Sequence, residues 1–170
     1  TISAYSGDQW SPLQYADNPT DKPQFEIYPT ERNDSMKIAI LGVWHVHAPD
    51  YTRTALAHGE VVGFFERNDA LAEAFAAHFG LPRFATVEEL LASDCEAVIV
   101  CSATKDHTAD IIAAARAGKH IFTEKTLAPT VAECEEIKAA IEAAYKEGES
   151  KLKGNGRSVP PLTAIKNPLR

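Results

Sequence analysis

Short apolar runs alternate with amphipathic stretches between residues 36 and 145 of the chain. Apolar runs bounded by Gly or polar residues are typical of buried strands, and apolar positions three and four apart are typical of helices. We predict strands at 37–41, 61–65, 83–85, 97–101 and 120–123. We predict helices over about 48–58, 69–79, 106–117 and 130–145, with a short one after Thr86. This alternation specifies an α/β fold, a doubly wound (Rossmann-like) parallel sheet with helices on both faces.

Capping residues mark the starts of three predicted helices. Asn68 stands directly before the helix at 69–79, where its side chain can accept a backbone N–H. Thr86 and Thr130 are each followed three residues later by a glutamate, which is the capping-box pattern. These helix starts are therefore predicted from specific hydrogen bonds as well as from periodicity.

Composition divides the chain into three segments. Residues 1–35, 36–145 and 146–170 carry net charges of −4, −7 and +4. The first segment holds Pro and aromatic residues without a period, which predicts an extended arm, and the last is a basic tail with Gly and Pro. We expect both to be available to protein partners. Because Met36 precedes the first strand directly, residues 1–35 are an appended arm, a cloning remnant, or the mature end left after a targeting segment is removed.

Charge and cysteine usage exclude several classes of protein. The net charge of −7 provides no basic surface for nucleic acid, and the longest apolar run, 97–101, is too short for a membrane span. The three cysteines form no C-x-x-C pair, which indicates reduced core residues. We therefore expect a cytoplasmic protein or, if a targeting segment has been removed, one of an organelle matrix.

Ligands of doubly wound sheets bind beyond the carboxyl ends of the strands, so the residues that follow each strand are the candidates for chemistry. The first of these loops begins at Gly42, where a dinucleotide-binding domain has G-x-G-x-x-G. Trp44 and His47 replace the second and third glycines. We predict that Gly42, Trp44 and His45 border a pyrophosphate bound by backbone N–H groups at the helix start. The alternative is an ordinary strand-to-helix turn.

Two charged residues follow the second strand. Glu66 lies 24 positions after Gly42, where a carboxylate can accept the ribose hydroxyls of adenosine. Arg67 beside it can pair with a 2′-phosphate. The predicted cofactor is therefore NAD or NADP, and the alternative for Glu66 is a solvated charge at a strand end.

Two motifs carry a resemblance to a known family. The segments SATKDH (102–107) and AGKHIFTEKTLA (117–128) resemble T-P-N-x-x-H and A-G-K-H-V-x-x-E-K-P-L-A of the glucose–fructose oxidoreductase / inositol dehydrogenase (Gfo/Idh/MocA) family. Thr126 stands where that family has Pro. The resemblance covers its amino-terminal NAD(P)-binding domain, about two-thirds of this chain.

The resemblance implies roles for individual residues. It implies that Glu124 faces the nicotinamide, with Lys125 in the place of the family's substrate-binding, proton-transferring lysine, and that Ser102, Thr104 and His107 border the cofactor pocket. Physically, a lysine beside a nicotinamide cation and away from bulk water would have its ammonium disfavoured, so proton exchange with an alcohol becomes feasible.

Family members continue into a second domain, which the residues after 145 are too few to form. We therefore expect an NAD(P)-binding domain of a sugar or polyol oxidoreductase that is incomplete for catalysis on its own. The alternative is a non-catalytic subunit, a retired Rossmann domain held in a larger assembly by its terminal arms.

A histidine pair in the first loop raises the question of a metal. His45 and His47 match the H-x-H that opens amidohydrolase metal sites, but that fold needs a barrel of roughly 200 residues. No further His or Asp cluster follows a matching strand. We therefore predict no metal site and interpret the pair as imidazoles at a helix start.

Overall fold

The computed structural model describes residues 35–154, so residues 1–34 of the predicted arm and residues 155–170 of the tail lie outside the described part. The strands are β1 (Lys37–Leu41), β2 (Glu60–Phe65), β3 (Ala97–Val100) and β4 (His120–Thr123). The helices are α1 (Ala48–His58), α2 (Asp69–Phe79), α3 (Val87–Ala92), α4 (Thr104–Arg116) and α5 (Val131–Gly154). None of these helices is long and apolar enough to cross a membrane.

The four strands form one parallel sheet in the order β2-β1-β3-β4. The chain leaves β1 for β2 on one side and later returns to place β3 on the other side. The order of the strands therefore reverses between β1 and β3, and their carboxyl ends share one edge of the sheet. This is the doubly wound α/β arrangement that the alternation of strands and helices predicts.

Alternate side chains of the strands enter two separate cores. Ala39 and Leu41 pack into the cluster that Ile111 of α4 and Ile137 of α5 complete. Ile40, between them, points to the opposite cluster. There α1 contributes Ala48 and Ala55, and α2 contributes Ala72 and Phe75. Helices therefore cover both faces, which is why the strands are apolar on both sides.

The prediction of a strand at 83–85 is wrong, because the structure has no full strand there. Arg83 makes only an isolated parallel bridge to Phe64. Two hydrogen bonds hold the segment beside β2, from Phe64 N to Pro82 O (3.0 Å) and from Phe84 N to Phe64 O (2.8 Å). Pro82 has no N–H to donate and the capping residue Thr86 follows closely, so pairing stops after this bridge.

Two helix bounds also differ from the predictions. α4 begins at Thr104, two residues before Asp106, with Ala103 in the capping position and no side-chain cap. α5 continues from Val131 to Gly154, beyond the expected end near residue 145. Gly148 does not end α5, because one glycine destabilises a helix by only about 1 kcal/mol relative to Ala.

The three predicted caps are confirmed. Asn68 Oδ1 accepts a hydrogen bond from Leu71 N at 3.0 Å. Thr86 Oγ1 accepts from Glu89 N at 3.0 Å, and Thr130 accepts from the corresponding N–H of α5 at 3.2 Å. These bonds set where α2, α3 and α5 begin.

Candidate functional site

The loop after β1 connects the carboxyl ends of its two neighbouring strands. Gly42 N donates to Phe65 O of β2 at 2.8 Å, and His45 N donates to Cys101 O beyond β3 at 2.9 Å. The loop then enters α1 through Pro49, whose fixed φ suits the first helical turn. The loop therefore lies at the point where the strand order reverses, as predicted.

Gly42 is required by a close approach as well as by its backbone angle. Its φ is +80°, and a Cβ at this position would lie 2.4 Å from the Cα of Ser102. Ser102 follows β3, so this contact brings the loops after β1 and β3 against each other. The Ser102 hydroxyl is buried and has no hydrogen-bond partner among the described residues.

The side chains that replace the motif glycines lie on the outside of the loop. Trp44 is 55% exposed, and the side chain of His47 is 47% exposed. Among the described residues, neither Trp44 N–H nor Val46 N–H has an acceptor. The Trp44 side chain is thus more than half exposed, and these two backbone donors are available to an anion.

Glu66 links the ends of β1 and β2. The residue is only 6% exposed, and its carboxylate accepts hydrogen bonds from Val43 N at 2.8 Å and Asn68 N at 2.9 Å. Each carboxylate oxygen can accept more than one hydrogen bond. Glu66 is therefore not a solvated surface charge, and its position is compatible with the predicted contact to ribose.

Arg67 is engaged within the protein. Its guanidinium makes two hydrogen bonds to the buried carboxylate of Asp110 on α4, at 3.1 and 2.5 Å, and lies 5.4 Å from the centre of the Phe65 ring. Donating hydrogen bonds to Asp110 raises the pKa of Arg67 further. The side chain predicted to reach a 2′-phosphate thus already has a carboxylate partner.

His107 joins the loops after β3 and β4. It is fully buried, with one ring nitrogen 2.9 Å from Ser102 O and the other 2.9 Å from Thr126 O. Thr104 lies half-buried in the first turn of α4. The three residues expected to border the pocket after β3, Ser102, Thr104 and His107, therefore lie at the same edge as Gly42.

Glu124 lies directly after β4, and three side chains surround its carboxylate. His45 and His47 come from the loop before α1, and Tyr51 comes from the first turn of α1. The Glu124 side chain is 5% exposed, and Oε1 lies 2.5 Å from His47 Nδ1 and 3.6 Å from His45 Nδ1. The Tyr51 hydroxyl donates to the same oxygen at 2.6 Å, and Lys125 N donates to Oε2 at 2.9 Å. We call His45, His47, Tyr51 and Glu124 the histidine–glutamate cluster.

The ionisation of this cluster follows from burial and hydrogen bonding. Burial alone would raise the pKa of Glu124, but hydrogen bonds from Tyr51, His47 and the Lys125 N–H outweigh it and hold the pKa at about 2. The bond to Glu124 raises the pKa of Tyr51 to about 12. Burial lowers the pKa of His45.

This cluster was not predicted from the sequence. Glu124 was expected only at the nicotinamide end, and the fold brings it to His47 from 77 positions away. One local signal was present: His47 and Tyr51 are four positions apart, so they share a face where α1 begins.

Lys125 is exposed at the carboxyl end of β4, and its peptide bond to Thr126 is cis. The proton-exchange role expected from the sequence requires this ammonium to be shielded from bulk water. Within residues 35–154 it is not shielded, because Lys125 is exposed although its neighbour Glu124 is buried. Lys125 therefore lies beside Glu124 as predicted, but it is in contact with solvent.

The loops after the four strands contact one another at one edge of the parallel sheet. This arrangement defines the class: a doubly wound α/β domain of the nucleotide-binding type. In a comparison with sequence models of protein families, residues 36–147 match the family described as an oxidoreductase family with an NAD-binding Rossmann fold. The chain belongs to this family, which confirms the resemblance carried by residues 102–107 and 117–128. A nicotinamide dinucleotide is accordingly the cofactor class of the domain.

Three relatives define the similarity further. A 1,5-anhydro-D-fructose reductase from Ensifer adhaerens is 37% identical over 84 residues, 48% of this chain and 25% of that protein. A UDP-N-acetylglucosamine 3-dehydrogenase from Acidithiobacillus ferrooxidans has a TM-score of 0.59 at 25% identity, covering 65% of this chain and 36% of that one. An NAD-binding protein from Listeria innocua has a TM-score of 0.59 at 26% identity, covering 66% and 34%. The chain thus spans between 25% and 36% of the length of these relatives.

Proposed function

We propose that the described domain binds NAD(H) across the carboxyl edge of its sheet and serves as the cofactor half of an oxidoreductase that acts on a sugar or polyol. The observation that carries this proposal is the convergence of the four strand ends, tied together by Gly42, Glu66, His107 and Glu124. The named relatives, a sugar reductase and a nucleotide-sugar dehydrogenase, support the substrate class.

The loop after β1 provides the anion site. The N–H groups of Trp44 and Val46 are available, and α1 adds the positive end of its dipole. The close approach of Gly42 to Ser102 holds the loops after β1 and β3 against each other. The residues present therefore fit a pyrophosphate although two motif glycines are replaced.

The surroundings of Glu66 favour NAD over NADP. Its carboxylate accepts from two backbone N–H groups and retains lone pairs for ribose hydroxyls. A 2′-phosphate here would meet this negative charge without help from Arg67, which Asp110 holds. We expect NADH to bind at least about 10-fold more tightly than NADPH, a difference of about 1.4 kcal/mol.

The nicotinamide end carries the chemistry. The cofactor supplies the hydride acceptor, and Lys125 at the end of β4 exchanges the proton of a substrate hydroxyl. Such an exchange needs substrate held close to the cofactor and shielded from water. Because Lys125 is exposed in this domain, we propose that turnover requires a further covering domain.

A titration with NADH tests the proposal. The full chain is titrated with NADH and, separately, NADPH, while nicotinamide fluorescence is recorded. In E66Q the charge-assisted bonds to ribose are lost, which corresponds to about 1.5–3 kcal/mol, so Kd should rise at least about 10-fold. E60Q changes an exposed carboxylate at the opposite end of the same strand and should leave Kd unchanged.

Two results would contradict the proposal. The first is the absence of saturable binding at millimolar NADH. The second is an equal response of E66Q and E60Q, each checked by circular dichroism for an intact fold. Tighter binding of NADPH would contradict the preference for NAD alone.

A further inference from the structure

We propose that His45, His47 and Glu124 form a binding site for one divalent transition-metal ion, of the class represented by Zn²⁺ and Co²⁺. One ligand atom from each residue, two imidazole nitrogens and a carboxylate oxygen, lies within 4.8 Å of the others. The ligand atoms are side-chain atoms of the histidine–glutamate cluster, whereas the pyrophosphate contacts are assigned to backbone N–H groups and the ribose contact to Glu66, so metal and nucleotide binding can be measured separately.

The donor set selects the kind of metal. Two imidazoles and one carboxylate are borderline donors that suit Zn²⁺ and other late divalent ions, whereas Mg²⁺ and Ca²⁺ prefer oxygen ligands alone. Three protein ligands leave at least one position of a tetrahedral ion free. Such a site holds a water molecule or another small oxygen ligand.

The distances are close to those that a metal needs. Metal–ligand bonds of about 2.0–2.2 Å place two ligand atoms of a tetrahedral ion about 3.3–3.5 Å apart. His45 Nδ1 and Glu124 Oε1 are already 3.6 Å apart. His45 Nδ1 accepts the backbone N–H of His47 at 3.2 Å, and the metal replaces this hydrogen bond. His47 Nδ1 is 2.5 Å from Glu124 Oε1, so this pair must open by about 1 Å. His47 is the ligand best able to move, because its side chain is the most exposed of the three.

Hydrogen bonds hold the other two ligands. The backbone of His45 is fixed by its bond to Cys101 O at 2.9 Å. Glu124 is fixed at Oε2 by Lys125 N, and Tyr51 donates to its other oxygen. Tyr51 itself packs against Phe122 with ring centres 5.0 Å apart. Outer contacts of this kind orient metal ligands and increase affinity.

A metal can reach the cluster from solvent. The side chains of His45 and Glu124 are 10% and 5% exposed, whereas that of His47 is 47% exposed. The cluster is thus buried on the side of its two fixed ligands and open on the side of the third. This provides an entry path for the ion.

The test uses metal alone. The full chain is treated with a chelator and dialysed. It is then titrated with Co²⁺ while visible absorption is recorded, and Zn²⁺ is added afterwards to displace the bound Co²⁺. We expect one Co²⁺ per chain with the d–d bands of a four- or five-coordinate ion. Binding should weaken at least about 10-fold in H47N and in E124Q, since each loses one of three ligands. H58N removes an exposed histidine at the end of α1 and should bind as the unchanged chain does.

A second measurement does not depend on variants. In the unchanged chain, nuclear magnetic resonance of the six histidine rings during Zn²⁺ addition should shift two rings together at one equivalent. Equal weakening by H47N and H58N, or uniform shifts of all rings, would show surface binding and overturn the proposal. Because NADH binding is measured without metal, failure here leaves the proposed function standing, and the reverse also holds.

Discussion

Buried polar side chains hold the crevice together residue by residue. Glu66 ties the loop after β1 to the start of α2. His107 ties the loops after β3 and β4, and Glu124 ties the start of α1 to the end of β4. Each of these side chains satisfies backbone or side-chain groups that would otherwise be buried without partners. The residues expected to bind the cofactor therefore also position the loops that form its site.

A substitution at Gly42 tests the close approach between the loops after β1 and β3. In G42A the new Cβ meets Ser102 and the residue keeps a φ of +80°. We expect a loss of about 2–5 kcal/mol in the free energy of unfolding, from left-handed strain and overpacking together. Chemical denaturation measures it.

Gly80 provides the matched control for this variant. Its φ is +66°, but no atom of residues 35–154 lies within 4 Å of a Cβ built there. G80A should therefore lose only about 1–2 kcal/mol, from backbone strain. Equal losses in both variants would show that the contact with Ser102 is unimportant.

Cys101 is expected to be chemically silent. It is fully buried, and burial together with the charge of Glu124 raises the pKa of its thiol from 9.0 to about 12. The folded thiol therefore stays protonated while the unfolded one ionises, so this group favours unfolding as pH rises from 9 towards 12.

Alkylation at pH 8.5 followed by mass spectrometry of peptides checks this expectation. In the folded chain iodoacetamide should modify the half-buried Cys134 and leave Cys101 unmodified. In guanidinium both should react. Modification of Cys101 at the rate of Cys134 in the folded chain would contradict the described burial.

At the scale of elements, the apolar periodicity and the capping residues predicted the strands and helices whose formation depends on neighbouring residues. Strands and helices alternate as expected, and Asn68, Thr86 and Thr130 cap the helices they precede. The predictions fail where a local signal is missing. Ala103 gives α4 no side-chain cap, so its start was placed two residues late. The run at 83–85 looks like a strand, but only one of its residues bridges to β2.

The cap of α2 has a measurable contribution. N68A removes the acceptor for Leu71 N and should destabilise the domain by about 1 kcal/mol. N68S retains a capping oxygen and should lose less than half of that. Denaturation midpoints compare the two, and an N68A variant as stable as the unchanged chain would mean that the cap is not needed.

Only part of the candidate site could be predicted, because some of its residues are brought together only by tertiary packing. The first loop, Glu66 and the residues after β3 could be named as candidates because the rule that ligands bind beyond strand ends depends on topology alone. The histidine–glutamate cluster joins residues 77 positions apart, and only the packing of α1 against the end of β4 brings them together. Sequence spacing carries no record of such a contact.

At the scale of the whole molecule, the described residues form a cofactor domain without a covering partner. The chain spans 25% of its reductase relative and 36% of a dehydrogenase relative. The four strands are parallel, so their carboxyl ends share one edge of the sheet, and Lys125 is exposed at that edge. We therefore expect cofactor binding without turnover from this domain alone.

The most direct test of the crevice is a map of backbone amide shifts during titration with NADH. The amides of Gly42, Trp44, Val46 and Ser102 should shift together and saturate with one Kd, because they line one site. The amides of Gly59 and Gly118, which precede β2 and β4 at the opposite edge of the sheet, should not move. Saturable shifts at that opposite edge, or none at the four crevice amides at millimolar NADH, would contradict the account.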